Sequence, residues 1–258
     1  MPGTAMIICD HKFGYIDYDP LPMPTTSPPT DTSLRLQVYD SLRESLTTGG
    51  FVPGQKLTFR SIAGTRGVSL TPVREALRRL VAEGAFEMQH QRSVRVPLMT
   101  KAKVLELRDI RMAVEGLAAG KAAPLASTRQ VGQLRRIARE ILTARSRGDN
   151  ASDRLKIREF HFTLYGIADQ PTLLRVIEGL WLQTGPYMNL LYPDFIGSPR
   201  GPETRARIIR AMQTHDAVAA RREIENDVRR ALSYVADLAD ASGNIVPSKH
   251  GEIHGSAA

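Results

Sequence analysis

The stretch Val68–Gly84, VSLTPVREALRRLVAEG, constrains the fold more than any other part of the chain. Val73, Ala76, Leu77, Leu80 and Val81 recur at the three- and four-residue spacing of a helix that buries one face. Ser69 or Thr71 can accept a hydrogen bond from a free N–H at the helix start. Pro72 is tolerated there because first-turn N–H groups lack intrahelical partners anyway. Gly84 ends the helix. The period then switches from helix to strand: Phe86 and Met88 alternate with Glu87 and Gln89, residues 90–93 turn the chain, and Val94-Arg95-Val96 returns with the same alternation before Pro97.

Upstream, Leu34, Val38, Leu42 and Leu46 make a stripe on a first helix, which Asp31, Thr32 or Ser33 can cap and Gly49-Gly50 end. Pro53-Gly54 sets a turn, and residues 52–57 close with a short extended piece. Thr58 can cap a brief helix through Ile62 and Ala63 that Gly67 breaks. The order helix, strand, helix, helix, hairpin is that of a helix-turn-helix with a β-wing. In such folds the second helix of the pair enters the major groove of DNA with its N-terminal residues leading. Arg74 sits in the first turn of that helix, where an anion is preferred to a cation. Its place makes sense if a phosphate or a guanine edge docks there; the alternative is an ion pair with Glu44 or Asp40. Arg78 and Arg79 are solvated or face phosphates, and Arg66 can reach the DNA backbone from the turn between helices; such contacts position a protein more than they specify a sequence.

Charge is consistent with an anionic partner such as nucleic acid: the 258 residues carry a net charge of +8. Between 33 and 97, ten basic residues face five acidic ones; from 98 to 240 the numbers are 23 and 17, so the first segment is the denser. Cys9 is the only cysteine, which excludes an internal disulfide framework and a thiolate zinc cluster and suits a reducing compartment. No apolar run reaches the length of a membrane span, and no basic region followed by an apolar block opens the chain. The expectation is a cytoplasmic protein without membrane association. Residues 1–31, rich in Pro, Ser and Thr towards their end, and residues 241–258 read as disordered extensions.

From residue 98 onward every pattern is helical. Thr100 caps a helix with Val104, Leu107, Ile110, Val114 and Leu117 as its stripe; a second runs from about Ser127 to Ser146. Residues 148–152 read as loop, 157–168 as helix, and Leu173, Ile177, Leu180 and Trp181 as another stripe. Residues 192–202 read as loop before two last helices, one from Glu203 and one from Asp216 to Ala239. The fold class is therefore mainly α: a winged helix-turn-helix over 32–97, then an all-α antiparallel bundle of six or seven helices over 98–240, able to hold a ligand in its core.

The run Gly67-Val-Ser-x-Thr-Pro-Val-Arg-Glu-Ala-Leu-x-x-Leu80 resembles the winged-helix domain of the GntR family of transcription factors, and the resemblance covers about 34–97. It implies that Arg60, Thr71, Arg74 and His90 are the positions that touch DNA. Family members usually carry Arg where this chain has Leu70, and a glycine in the wing turn where it has Gln91 and Ser93; Arg92 can compensate at the wing tip. Residues 103–238 are similar to the FCD effector-binding domain of the FadR subfamily, through LRDIRMAVEGLAA at 107–119 and FHFTLY at 160–165. That resemblance implies a homodimer on a two-fold symmetric double-stranded operator.

Relatives often bind a divalent metal through one Asp and three His inside the bundle. Here His161 matches one histidine, but Ile157 stands at the Asp position and Arg205 and Asp227 at the later histidine positions. One imidazole and one carboxylate cannot hold a metal tightly, so no metal or other cofactor is expected. A guanidinium can grip a carboxylate in a two-pronged way instead. Arg205, with Arg108 or Arg111, is accordingly read as an anion pocket beside His161 for a small organic acid. Two other outcomes stay open: Arg111 pairs with Glu115 on a helix surface, or Arg205 pairs with Asp227 and closes the cavity. No P-loop, G-x-G-x-x-G turn, HExxH or G-x-S-x-G is present, which argues against an enzyme. The reading is a ligand-responsive regulator of transcription; the alternatives are an effector-blind DNA-binding protein acting by occupancy and, more remotely, a helical enzyme.

Overall fold

A computed structural model describes residues 31–245 apart from 91, 193, 198 and 199; at 31, 32, 90, 197, 200 and 201 it describes the backbone alone. The extensions at 1–30 and 246–258 and the side chain of His90 thus lie outside the described residues.

The head is built from α1 (Asp31–Thr47), β1 (Lys56–Thr58), α2 (Phe59–Arg66), α3 (Leu70–Ala82), β2 (Glu87–His90) and β3 (Ser93–Arg95). The strands form one antiparallel sheet in the order β1-β3-β2, with Leu57 opposite Val94 and Met88 opposite Val94 on the other side. The register shifts between Met88 and His90, and Met88 is exposed. α1 starts at Asp31, so Thr32 and Ser33 lie inside its first turn rather than ahead of it. Leu42, Leu46, Val73, Leu77, Leu80 and Val94 are fully buried and close the head's core. Thr58 caps α2 as its sequence suggests, its hydroxyl accepting from the Ser61 N–H at 3.0 Å.

The body contains α4 (Lys101–Ala122), α5 (Thr128–Ser146), α6 (Asn150–Gly166), α7 (Pro171–Thr184), a short α8 (Asp194–Gly197), α9 (Arg200–Gln213) and α10 (Ala217–Asp237). Thr100 and Ser127 cap α4 and α5, the latter in a reciprocal box with Gln130. α6 begins at Asn150, a full two turns before residue 157, because Asp149 caps it through the Ser152 N–H. α8 and the start of α9 likewise replace part of the loop expected at 192–202. α4 packs along α10, and Gly116 permits that approach: a Cβ there would meet Glu225 Cγ at 2.7 Å.

Head and body are joined by α7 and the 3-10 segment Gly185–Leu191. Leu182 of α7 is buried in the head's core. The Asn189 amide donates to the carbonyls of Gly49 and Phe51 at 2.8 and 2.9 Å. Arg43 pairs with Glu178 at 2.8 Å, and Tyr187 accepts from the Met99 N–H while donating to Pro97 O. Residues 241–245 are not part of a loose tail. Ile245 is fully buried in the body's core, its N–H donates to Met99 O at 2.9 Å, and the Lys101 N–H donates to Gly243 O at 2.8 Å. A single apolar residue after Gly243 anchors this return, too weak a periodic signal to read from sequence.

Candidate DNA-reading face and body cavity

Two sites emerge, one in each half. On the head, Thr58, Phe59, Arg60, Leu70, Arg74 and Arg92 surround one concavity of about 440 Å³. Three elements bring them together: the start of α2, the first two turns of α3, where Leu70 opens the helix and Arg74 is its fifth residue, and the wing turn before β3. Arg60, Arg74 and Arg92 are exposed, and among the described residues their side chains make no hydrogen bond or ion pair. The pairing of Arg74 with Glu44 or Asp40 does not form. Thr71 is exposed in the same first turn of α3 but is not on the rim. Ser69 stands at the N-cap of α3, yet no side chain caps it. The first backbone N–H groups of that helix therefore lack a side-chain acceptor of their own, at the end where Arg74 projects.

Other basic residues of the head are engaged. Arg66 donates to Ser41 Oγ at 3.1 Å, and burial pushes its guanidinium down from its ordinary value. Arg79 lies 3.9 Å over the Tyr39 ring and pairs with Glu83, to which Tyr39 also donates. Burial, then that Glu83 hydrogen bond, pushes the Tyr39 hydroxyl up to about 12. Arg79 is thus part of the α1–α3 packing rather than a free contact.

In the body, α4, α5, α6, α7, α9 and α10 enclose a cavity of about 80 Å³. Arg111, His161, Arg205 and Asp227 all line it, although they come from four different helices. Arg108 does not: it is held by Asp109 and by Ser233 Oγ at 3.1 Å, because its position on α4 faces the outer edge of α10. Arg145 and Arg230, which no sequence pattern singled out, line the cavity too.

Behind the cavity wall, Glu115 is fully buried and collects its donors: Arg111 Nε at 2.6 Å, Tyr165 Oη at 2.6 Å and Trp181 Nε1 at 3.2 Å. Arg111 also donates to Thr184 Oγ1 at 2.8 Å and lies over the Trp181 ring. The Arg111–Glu115 pair thus forms, in the core rather than on a helix surface. Burial and the charge of Glu115 hold the Tyr165 hydroxyl well above its ordinary range, so it stays protonated. Its one proton goes to Glu115, which leaves His161 Nδ1, 2.9 Å away, to donate to Tyr165 Oη. His161 Nε2 then faces Asp227 Oδ2 at 3.4 Å. Burial pushes the Asp227 carboxyl up, but the His161 hydrogen bond and the charges of His161, Arg205 and Arg230 outweigh it and hold the group below the usual carboxylate range.

Arg205 is 91% buried, with a relative exposure of 9%. Its Nη2 is buried without a hydrogen-bond partner, and it forms no ion pair with Asp227. Burial pushes its guanidinium down from its ordinary value. Arg145 gives Nη2 to both oxygens of Asp153, at 3.1 and 3.2 Å, while its Nε is buried and unpartnered. Among the described residues no group of three His, Cys, Asp or Glu converges. The pair His161 and Asp227, with a guanidinium at the third position, is a poor donor set for a divalent cation.

Comparison with known proteins agrees with both halves. A profile for bacterial regulatory proteins, gntR family, matches residues 34–96, and one for the FCD domain matches 106–230. Over 170 residues the chain is 32% identical to the HTH-type transcriptional regulator McbR of Escherichia coli (strain K12), covering 66% of this chain and 77% of that protein. It is 25% identical over 216 residues to the probable D-xylose utilization operon transcriptional repressor of Paenarthrobacter nicotinovorans, covering 84% and 93%. The solved structure of E. coli McbR/YncC superimposes with a TM-score of 0.74 at 27% identity, over 78% of this chain and 96% of that one.

Proposed function

The chain belongs to the GntR family of transcriptional regulators and carries an FCD domain, and from that premise we propose that α3 and the wing read operator DNA while the body senses a small organic acid. The observation that carries the DNA reading is the convergence of Arg60, Arg74 and Arg92, all exposed and unengaged, on one concave face. Charged side chains held without partners around a helix N-terminus match a phosphate backbone, with the leading residues of the helix placed for base edges. Where family members usually carry Arg, Leu70 puts an apolar side chain on this rim. It favours a thymine methyl over a guanine edge at that step.

Selection of bound fragments from genomic DNA supplies the operator for the test. Arg74→Ala is expected to lose about 1–3 kcal/mol of specific affinity and to relax discrimination at one base pair. Arg92→Ala weakens all sequences alike and lowers the salt slope by about 1. Both variants should melt with the wild type, since neither side chain is engaged within the head. Operator binding by Arg74→Ala equal to that of wild type removes the assignment.

Two copies pair through the body in this reading. Ile110, Ala113 and Leu117 are exposed at helical spacing on α4, an apolar stripe that a second copy of α4 can cover. Leu117→Glu is expected to yield monomers in light scattering and to weaken binding to the two-fold site steeply, because the two heads no longer bind as a linked pair. Dimers of unchanged stability place the interface elsewhere. No metal enters this reading, since a guanidinium occupies one ligand position and would repel the ion.

A further inference from the structure

The body cavity carries an unbalanced charge. Four guanidiniums, of Arg111, Arg145, Arg205 and Arg230, line it. Against them stand Asp227 on the wall, Glu115 bonded to Arg111, and Asp153 bonded to Arg145. Four guanidiniums face three carboxylates, so the lining is basic on balance. Two buried N–H groups in that lining lack acceptors, Arg205 Nη2 and Arg145 Nε. A buried guanidinium lacking a bonded counter-ion is destabilising, and for Arg205 the charges of Asp227 and Asp153 offset burial only in part. Asp227 acts on Arg205 only through space, since it bonds His161 and makes no ion pair with the guanidinium.

The remaining wall is apolar, formed by Ile141, Ile157, Met188, Leu191 and Phe195 among others. A single water needs roughly 10–15 Å³ of space measured in this way. The cavity, at about 80 Å³, has room for a carboxylate with a short chain or one ring.

We propose that Arg205 and Arg145 directly grip a small monocarboxylate, without a metal, and that its apolar part rests against Ile157, Met188 and Phe195. This deepens the reading of the body as a sensor and rests on it. It departs from a metal-bridged carboxylate in one respect that chemistry can test: the grip belongs to two side chains, so it survives chelation and vanishes with the guanidinium. One carboxylate suffices for the two N–H groups without acceptors. A second carboxylate would lose its hydration against the apolar wall and stand beside Asp227, and a neutral amide offers no charge to Arg205.

The test uses the full chain with butyrate, benzoate, succinate and benzamide as probes at millimolar concentration, before and after EDTA. Trp181 is the only tryptophan and lines the cavity, so its fluorescence reports occupancy alongside the melting temperature. Benzoate or butyrate is expected to raise the melting temperature and shift the Trp181 emission. Succinate and benzamide should bind at least about tenfold more weakly, in keeping with a charge-assisted contact. Arg205→Met should lose the response to the acid by the same factor. It should also melt higher than wild type in the absence of acid, because it removes an uncompensated buried charge; a merely structural Arg205 would instead melt lower when replaced. Arg145→Lys, which keeps the charge and the Asp153 pair but lacks Nε–H, serves as the second variant and should weaken the acid by a smaller factor.

Equal binding of benzamide and benzoate, loss of binding after EDTA, or an unaffected Arg205→Met overturns the proposal. So does failure of both monocarboxylates to bind. Acid binding that leaves operator affinity unchanged supports the site while removing the sensing role, so the two readings fail separately.

Discussion

At the scale of single residues, the polar groups of the body differ in how completely they are satisfied. Glu115 is the fully satisfied one: a buried carboxylate with donors from Arg111, Tyr165 and Trp181. Glu115→Gln keeps the shape but leaves Arg111 as a buried cation without a counter-charge, and turns an amide N–H₂ towards groups that are themselves donors. It is expected to cost about 3–5 kcal/mol in urea denaturation. Replacing both partners, Arg111→Met with Glu115→Leu, should recover a large part of that loss, since the pair's desolvation disappears with it. A Glu115→Gln variant as stable as wild type removes the network from any structural role. Sequence made part of this visible. The helical spacing of Arg111 and Glu115 announces a pair, and His161, Arg205 and Asp227 stand at positions that the family resemblance aligns. It did not make Arg145 visible, because that side chain becomes a cavity residue only through the packing of α5 on α6, where Asp153 fixes its other end. Nor does spacing on α4 reveal that Arg108 turns to Ser233 while Arg111, three residues on, turns inward.

At the scale of elements, capping chemistry made four helix starts legible, although the start of α6, capped by Asp149, was missed, and so was the segment shaped by tertiary contact. α2, α4, α5 and α10 start at Thr58, Thr100, Ser127 and Asp216, each with its side-chain oxygen on a backbone N–H. Segment Gly185–Leu191 has no such mark. It winds as 3-10 against α1, and Gly185 is its tightest point: a Cβ there would sit 2.2 Å from Leu46 O. Because the obstruction is backbone, no rotamer change relieves it. Gly185→Ala must push α1 and α7 apart, and is expected to destabilise the protein by about 1–3 kcal/mol or more. Limited proteolysis should then cut between head and body sooner than in wild type. Gly179→Ala, with open space around its Cβ on the preceding helix α7, is the control and should be near neutral or slightly stabilising. If both variants behave alike, the close approach at Leu46 carries no weight.

At the scale of the whole molecule, α7 and the segment that follows it serve both sites. Trp181, Met188 and Leu191 line the cavity, while Leu182, Tyr187 and Asn189 hold the head. Interleaved positions along one short stretch of chain thus face the cavity and the head. An acid that orders the cavity wall differently in two arrangements of the head shifts the balance between them, and the coupling is the same free energy read from either end. Asn189→Ala is the variant that addresses this connection. It removes the amide from Gly49 O and Phe51 O, touches neither the arginines of the DNA face nor the lining of the cavity, and should lower stability by about 1–3 kcal/mol through the carbonyls it leaves unpaired. Operator affinity without acid, and acid affinity without operator, should each stay close to wild type. What should fall towards unity is the factor by which benzoate changes operator affinity, of the order of 5–150-fold where such coupling exists. Anisotropy titrations of labelled operator at fixed benzoate measure that factor, and Trp181 titrations with and without operator must return the same one. A variant that retains the wild-type factor in both directions shows that the signal passes by another route, of which the packing of Ile245 beside the Met99 linker is the next in line.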